Sequence, residues 1–374
     1  MYHINKEDMQ IIVNGASFLA SGGGGGVESA KAVIDNIVTY ADQVAVVEVN
    51  EIAEDAQLLV ICGVGAPDAP NLNFKQSPGY GLEGLQDMAG RSYHYVLPIE
   101  VGAMNSMIPL LACAQFNIPF VDGDGAGRSV PQMSMCSYAL KAFSTEDTLV
   151  VSEEDDKFPL HPVNAEAMEA QVRKIVSSKL QDAGTVATWS LTGKEVLSPG
   201  ALVPGSLSIA RSIGTAMSSA APLQAVQEII SACYPANAII MHRAKVTAAT
   251  NKVEDGFDVG TVTLKEGNRE VTLYFVNESL LATIDIDGVP VAFILGPDMI
   301  CSMGVGGTPM TNSEICGQFA AGKTVEVSLM WVQAVDTIRV PSMFFKYLGL
   351  LLQKFEGVNL SGYRFLEDAL YLLD

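Results

Sequence analysis

Four short runs of apolar and β-branched residues in the first third of the chain constrain its fold more than any other feature. The runs are VAVVEV (44–49), QLLVICGV (57–64), YHYVLPIE (93–100) and IPFVDGD (118–124). Continuous apolar runs of this length are typical of strands buried on both faces of a sheet. The Ala-rich segment 105–116 predicts a crossover helix between the last two, with Pro109 in its first turn. A strand, a helix and a strand in this order form a βαβ unit, so we expect an α/β fold with a largely parallel sheet.

Helices are predicted on either side of these strands. Apolar residues recur at helical spacing from Met9 to Leu19, and a second helix begins near Val27. The segment 204–220 predicts a further helix, whose many small residues indicate close packing. Two helices are expected at the C-terminal end, the last of them FLEDALYLLD (365–374).

The texture of the sequence changes in the second half. Between about 237 and 331, apolar and polar residues alternate, and the turn KEGNRE (265–270) and the Asp-Gly pair of IDIDGVPVAFIL indicate hairpins. This pattern predicts a β-rich C-terminal domain with flanking helices. We place the boundary so that residues 1–168 form the α/β domain and residues 169–374 the β-rich domain.

Composition excludes several classes of function. The net charge of −20 argues against nucleic acid and against an anionic membrane surface, because both require clustered Lys and Arg. The six cysteines form no C-x-x-C pair, which favours buried reduced thiols. The N-terminal sequence MYHINKEDMQ is too polar for a signal peptide. We therefore expect a cytoplasmic protein that binds a small molecule, and we expect it to be a homo-oligomer.

A run of five glycines follows the first predicted helix, at residues 22–26. It is not a dinucleotide-binding fingerprint, since that motif follows a strand and needs a third glycine at fixed spacing. No Walker A motif occurs either, so no nucleotide cofactor is expected. The run predicts a backbone that approaches a ligand closely, which would make Gly22, Gly23, Gly24 and Gly25 substrate-binding residues. The alternative is a helix C-cap followed by a tight turn.

Polar side chains follow the last two strands of the βαβ unit. Glu100 ends one strand, and Asp122 and Asp124 end the next; Asn105 begins the helix between them and Arg128 lies on the following loop. Parallel strands end at the same edge of a sheet, where α/β proteins bind ligands, so these side chains are expected to converge. The three carboxylates are candidate catalytic groups, and Asn105 and Arg128 are candidate substrate-binding groups.

Purely structural roles are the alternatives for these residues. Either aspartate could cap a turn, and the arginine could simply neutralise the aspartates. A divalent metal on the carboxylates is left open, although no H-E-x-x-H motif or other paired metal-ligand spacing is present. The second domain is expected to contribute walls to the site through the glycine-rich segment 297–309. Asp298 is the candidate substrate-binding residue of that segment, with a turn cap as the alternative.

Seven segments together resemble the S-methyl thiohydantoin desulfurase family. They are FLASGGGGG, VICGVGAP (60–67), PIEVGAMN (98–105), PFVDGDGAGRSVPQ (119–132), PGSLSIARSIG (204–214), VNESLLA (276–282) and GPDMICSM (296–303). The resemblance spans nearly the whole chain and implies an N-terminal α/β domain followed by a β-rich domain. It implies desulfurisation of an S-methylated thiohydantoin ring, in which water replaces the sulfur leaving group. Two alternatives stay open: a hydantoin or lactam hydrolase or isomerase, and a non-catalytic accessory subunit of a hydantoinase.

Overall fold

Nine strands from the first 204 residues form one mixed sheet. This is a computed structural model, and it describes residues 1–65, 74–181, 183–358, 360 and 363. The strands are β1 (Tyr2–Asn5), β2 (Gln43–Glu48), β3 (Gln57–Gly65), β4 (Tyr95–Pro98), β5 (Phe120–Asp124), β6 (Thr148–Val151), β7 (Lys157–Leu160), β8 (Ala183–Thr192) and β9 (Val203–Pro204). Their order is β1-β2-β5-β4-β3-β8-β6-β7, with β9 paired to the end of β5.

The centre of this sheet is parallel and its flanks are antiparallel. Strands β2, β5, β4 and β3 pair in parallel, whereas β1, β8, β6, β7 and β9 all join through antiparallel pairs. The predicted α/β class is confirmed, with a sheet that is mixed because hairpin-like strands extend its parallel centre on both sides. The predicted βαβ unit is present, since Val96 of β4 lies opposite Phe120 of β5 in parallel register.

Helices cover both faces of the first sheet. They are α1 (Lys6–Leu19), α2 (Val27–Tyr40), α3 (Ser77–Ala89), α4 (Ala103–Phe116), α5 (Ser137–Leu140), α6 (Ala165–Lys179), α7 (Gly193–Val196), α8 (Ser206–Met217) and α9 (Pro222–Cys233). Helices α3 and α4 pack on one face with α1 and α2 outside α4, and α6 packs on the other. Pro109 lies inside α4, beyond its first turn, so the position predicted for this proline was wrong.

The second sheet is antiparallel throughout. Its strands are β10 (Asn237–Glu254), β11 (Phe257–Glu266), β12 (Arg269–Val276), β13 (Glu278–Ile286), β14 (Val289–Leu295), β15 (Met299–Gly304), β16 (Thr308–Pro309) and β17 (Glu326–Val332), in the order β14-β13-β12-β11-β10-β17-β15-β16. Both predicted hairpins are present, and helices α10 (Asn312–Ala320) and α11 (Pro341–Lys354) cover opposite faces of the sheet.

The chain returns to the first sheet after the boundary predicted at residues 168/169. Strand β8 inserts between β3 and β6, α8 then packs against α1, and α9 packs against α8. The last predicted helix, residues 365–374, lies outside the described residues. In the part of the chain that the structure describes, no helix has the length and apolar character needed to cross a membrane.

Helices α1 and α8 touch backbone to backbone, as the small residues of α8 predicted. A methyl group on Gly15 of α1 would lie 1.8 Å from the carbonyl oxygen of Ala210, and one on Gly214 of α8 would lie 1.9 Å from that of Ile11. Neither helix can move away without opening the core that the two share. The contact therefore fixes the segment after β9 against the start of the chain.

We predict that Gly214→Ala lowers the free energy of unfolding by about 1–3 kcal/mol, because the added methyl must push two backbones apart. The matched control is Gly317→Ala in α10, where a methyl would meet nothing within 4 Å. That change should raise stability slightly, since alanine favours helix over glycine. Urea denaturation of both variants measures the effect, and equal stabilities would contradict the close contact.

Candidate active site

A cavity of about 60 Å³ lies between the two sheets. Its walls come from the glycine run, the carboxyl ends of β3 and β4, the loop after β5, helix α6 and the start of β13. The polar part consists of Gly24, Gly25, Gly63, Gly65, Glu100, Asn105, Arg173, Asn277 and Glu278, and the apolar part of Cys62, Val64, Phe74, Ile99, Met104, Val130, Pro131 and Met133. Apolar walls that carry a few placed polar groups are typical of sites for small molecules.

Glu100 lies at the centre of the first-domain wall, as predicted. It follows β4 and is only 4% exposed. Its carboxylate accepts hydrogen bonds from the Nδ2 of Asn105 at 2.7 Å and from the backbone N–H of Val130 at 2.6 Å. Asn105 is held in turn by the backbone N–H of Gly63, which donates to its Oδ1 at 2.8 Å. The parallel strand ends thus bring Glu100 and Asn105 together in one orientation.

A second glutamate, Glu278, faces the same cavity from the other sheet, and the sequence analysis did not nominate it. It is the first residue of β13 and is 2% exposed. Its Oε1 accepts the backbone N–H of Gly24 at 3.2 Å, and its Oε2 has no hydrogen-bond partner among the described residues. The second domain thus contributes to the cavity, as expected, but it does so through Asn277 and Glu278 and brings a carboxylate as well as wall.

A signal for Glu278 was present in the sequence. A carboxylate beside an apolar run, such as Glu100 after YVLPI, is costly to bury without a partner. Glu278 stands in the mirror position, directly before the apolar run SLLATI. A search for carboxylates directly before apolar strands, as well as directly after them, would have found Glu278.

Burial raises the pKa of both glutamates toward neutral pH. It raises the pKa of Glu100 to about 7, against the opposing effect of the hydrogen bonds from Asn105 and Val130. Burial, with a smaller contribution from the negative charge of Glu100, raises the pKa of Glu278 to about 8. Two neighbouring carboxylates in a buried site tend to share one proton, because like charges disfavour double ionisation.

The glycine run passes so close to its neighbours that side chains are excluded. A methyl group on Gly23 would lie 2.0 Å from the Oε1 of Glu278, and one on Gly22 would lie 2.2 Å from the Nδ2 of Asn312. A methyl on Gly24 would lie 2.4 Å from the Oγ of Ser129. Gly22, Gly24 and Gly25 also have positive φ angles. The run is therefore a close backbone approach, and Gly24 and Gly25 form cavity wall while Gly22 and Gly23 pack behind it.

Arg128 is fully buried next to the site but does not line the cavity. Its Nε donates to the carbonyl of Ser129 at 2.7 Å, and its Nη1 donates to the carbonyls of Pro297 at 2.6 Å and Asp298 at 3.1 Å. Its positive charge lowers the pKa of Glu100 and of Glu278, opposing the effect of burial. Its place near the carboxylates agrees with the expected convergence, whereas direct contact with a ligand in the cavity does not follow from it.

Asp122 lies outside the cavity. Its side chain points to the N-terminus of α8, where it accepts the backbone N–H groups of Leu207 at 2.9 Å and Ser208 at 3.3 Å and the hydroxyl of Ser208. It also accepts the hydroxyl of Tyr2 at 3.0 Å. Negative charge at a helix N-terminus is stabilising, so this geometry gives Asp122 a structural role in place of the predicted convergence with Glu100.

Asp124 is also turned away from the cavity. Its carboxylate accepts the backbone N–H of Gly127 at 2.9 Å and that of Ala126 at 3.2 Å, which is the turn-capping alternative left open by the sequence. Burial raises its pKa to about 7. Asp124 thus shapes the loop that carries Arg128, and it contributes no surface to the cavity.

Asp298 is fully occupied by another part of the second domain. Its carboxylate pairs with Arg339 at 2.8 Å and accepts the indole N–H of Trp331 at 3.2 Å and the backbone N–H of Ala334 at 3.0 Å. The segment 297–309, expected as a glycine-rich loop, contains the buried strand β15. It therefore does not supply the expected cleft wall, although two of its carbonyls hold Arg128.

Within the described residues, no group of three or more His, Cys, Asp or Glu side chains is arranged to hold a metal ion. The two glutamates of the cavity lie near hydrogen-bond donors and two arginines, Arg128 and Arg173. Such surroundings suit proton transfer by the carboxyl groups themselves.

Comparison with protein families assigns both halves of the chain. The model described as S-Me-THD-like, N-terminal domain, matches residues 7–161, and the model described as S-Me-THD-like, C-terminal domain, matches residues 163–335. The chain belongs to the S-Me-THD-like family. This confirms the family resemblance drawn from the sequence motifs.

A crystal structure of a protein from Chromobacterium violaceum shares the fold of this S-Me-THD-like protein. The TM-score is 0.78 at 24% sequence identity, and the match covers 94% of this chain and 97% of that one. A search of curated proteins found no match.

We predict that Asp122→Asn lowers the free energy of unfolding by about 1–3 kcal/mol. The amide keeps the shape of the side chain but loses the charge at the α8 N-terminus and one hydrogen-bond acceptor atom. Urea denaturation measures the change. Unaltered stability would contradict the capping role and revive the catalytic one.

A second prediction concerns pH. The folded chain keeps a proton on Glu278 up to about pH 8, whereas the unfolded chain releases it near 4.5. Because the folded state binds more protons in this window, the free energy of unfolding should fall as the pH rises from about 5 to 8, by up to about 1.4 kcal/mol per pH unit for this group. Glu278→Gln should flatten that slope in urea denaturation curves taken at several pH values. A slope equal to that of the wild type would show that Glu278 titrates as an exposed carboxylate.

Proposed function

We propose that the protein is a hydrolase that removes the sulfur substituent from an S-methyl thiohydantoin ring. In this reaction the oxygen of water bonds to the ring carbon between the two nitrogens. The bond from that carbon to sulfur breaks, and methanethiol and the corresponding hydantoin are formed. No oxidant or reductant is needed, so the reaction requires only a base, an acid and stabilisation of negative charge.

The observation that carries the proposal is the pair of buried carboxyl groups, Glu100 and Glu278, that face one cavity from two different sheets. A single proton shared between them at neutral pH supplies a base and an acid at the same time. Hydrolytic removal of a thiol needs this combination, since water must lose a proton and the thiolate must gain one.

The hydrogen bonds of the two glutamates indicate which one acts as the base and which one as the acid. Glu100 accepts two N–H donors, from Asn105 and Val130, and such bonds favour the ionised form. Glu278 accepts one, from Gly24, and its pKa is the higher of the two. Glu100 is therefore assigned as the base that takes a proton from water, and Glu278 as the acid that gives a proton to the departing sulfur.

The remaining walls suit a small ring. Attack on the ring carbon develops negative charge on the neighbouring nitrogen, and Gly25 lines the cavity immediately before α2 begins at Val27. The N-terminus of a helix stabilises negative charge there. Apolar side chains such as Met104, Ile99 and Phe74 supply the rest of the described cavity wall.

We predict that Glu100→Gln and Glu278→Gln each lower kcat for release of methanethiol by about a hundred-fold or more, because each amide keeps the shape but cannot transfer the proton. The matched control is Glu195→Gln, which removes one carboxylate from the capping box of α7, outside the cavity. It should leave kcat and KM unchanged. Thiol release from S-methyl thiohydantoins, followed with a thiol reagent, measures all three variants.

The pH profile gives an independent check on the two roles. Activity should rise as the base ionises near pH 7 and fall as the acid loses its proton near pH 8, which gives a narrow bell. Unchanged rates in both glutamine variants would remove the pair from the mechanism. Ring-opened product from plain hydantoins, without thiol release, would favour a hydantoin hydrolase, and no turnover at all would favour an accessory subunit.

A further inference from the structure

A tyrosine of helix α11 lies next to Arg128 on the buried side of the candidate site. Tyr347 of α11 is 0% exposed, and its ring lies 5.3 Å from the guanidinium carbon of Arg128. A methyl group on Gly296 would lie 2.1 Å from this ring, so the chain leaves space for it by placing a glycine there. Tyr347 lies beyond the matched family segment, which ends at residue 335.

Three polar atoms in this region are buried without a hydrogen-bond partner in the described part of the chain. They are the hydroxyl of Tyr347, the Nη2 of Arg128 and the Oε2 of Glu278. Unpaired buried polar atoms are rare in folded proteins, because each loses its hydration without replacement. Two of the three can donate hydrogen bonds and the third, when ionised, can only accept them.

The three groups influence one another electrically. The groups whose charges act on Glu278 are Glu100, from the loop after β4, and Arg128, from the loop after β5. The same two and Glu278 itself act on the hydroxyl of Tyr347. Glu278 and Tyr347 thus lie within electrostatic range of the same two charges, Glu100 and Arg128.

We propose that Tyr347 is a positioning residue for Glu278, whose hydroxyl joins the Nη2 of Arg128 in donating hydrogen bonds to the Oε2 once Glu278 has lost its proton. The inference rests on the acid role proposed above for Glu278. Donors held in place before the reaction stabilise charge that appears during it, at little cost in reorganisation. The unpaired atoms of the resting site then have a purpose, because the protonated carboxyl does not need them.

The test is Tyr347→Phe, which keeps the ring and its packing and removes only the hydroxyl. Without that donor the ionised form of Glu278 is less favoured, so the alkaline limb of the kcat profile should move to higher pH by about half a unit or more. KM should stay close to the wild-type value, since Tyr347 does not line the cavity. The matched control is Tyr93→Phe, which removes the hydroxyl of another buried tyrosine, one that bonds to Ser190 at 2.7 Å and does not line the cavity. It should leave the limb in place.

A second measurement does not depend on turnover. The pH dependence of unfolding is compared for the wild type, Tyr347→Phe, Glu278→Gln and the double variant. If Tyr347 acts on Glu278, its substitution extends the fall of stability to higher pH in the wild-type background and has no such effect in the Glu278→Gln background. The same effect in both backgrounds, or an unmoved alkaline limb, overturns the inference. An inactive wild type with the coupling present would instead count against the proposed reaction alone.

Discussion

The close approach of the glycine run to the second sheet is the contact on which the site depends. The backbone of Gly22 and Gly23 lies where any side chain would strike Asn312 or Glu278. Next to it, the hydroxyl of Ser21 donates to the carbonyl of Ile300 and accepts its N–H, at 3.1 and 2.9 Å. These contacts bring the two sheets together at backbone distance. Only at that separation can a glutamate of the second sheet share a small cavity with one of the first.

The two buried carboxyl groups of this site destabilise the folded state. Two carboxyl groups are removed from water within one cavity, and the positive charges of Arg128 and Arg173 oppose the effect of this burial on Glu100. A core built only for stability would place apolar residues there, because unpaired buried charge is unfavourable. Buried carboxyl groups with a pKa near neutral pH are a feature of sites that transfer protons. The surrounding sheets supply the apolar burial that offsets this unfavourable arrangement.

Local patterns predicted the scaffold better than the site. The apolar strands and crossover helix were readable, and the rule that parallel strands end at one edge correctly placed Glu100 and Asn105. Asp122 also ends a parallel strand, yet its side chain meets the start of α8, a helix that arrives from more than eighty residues later. Glu278 begins an antiparallel strand, and it reaches the cavity only after the two sheets dock. Contacts of this range are set by tertiary packing, which periodicity within one segment does not report.

The return of the chain to the first sheet has a consequence for biosynthesis. During synthesis on the ribosome, β3 and β6 cannot join one sheet until β8 has been made. Helix α1 likewise lacks its packing partner until α8 has been made. The glycine run stays uncovered until β13 has been made. Domains generally fold as units during synthesis, but here the first one cannot finish early. The nascent chain therefore leaves apolar surface of the first layer exposed over a long stretch of translation.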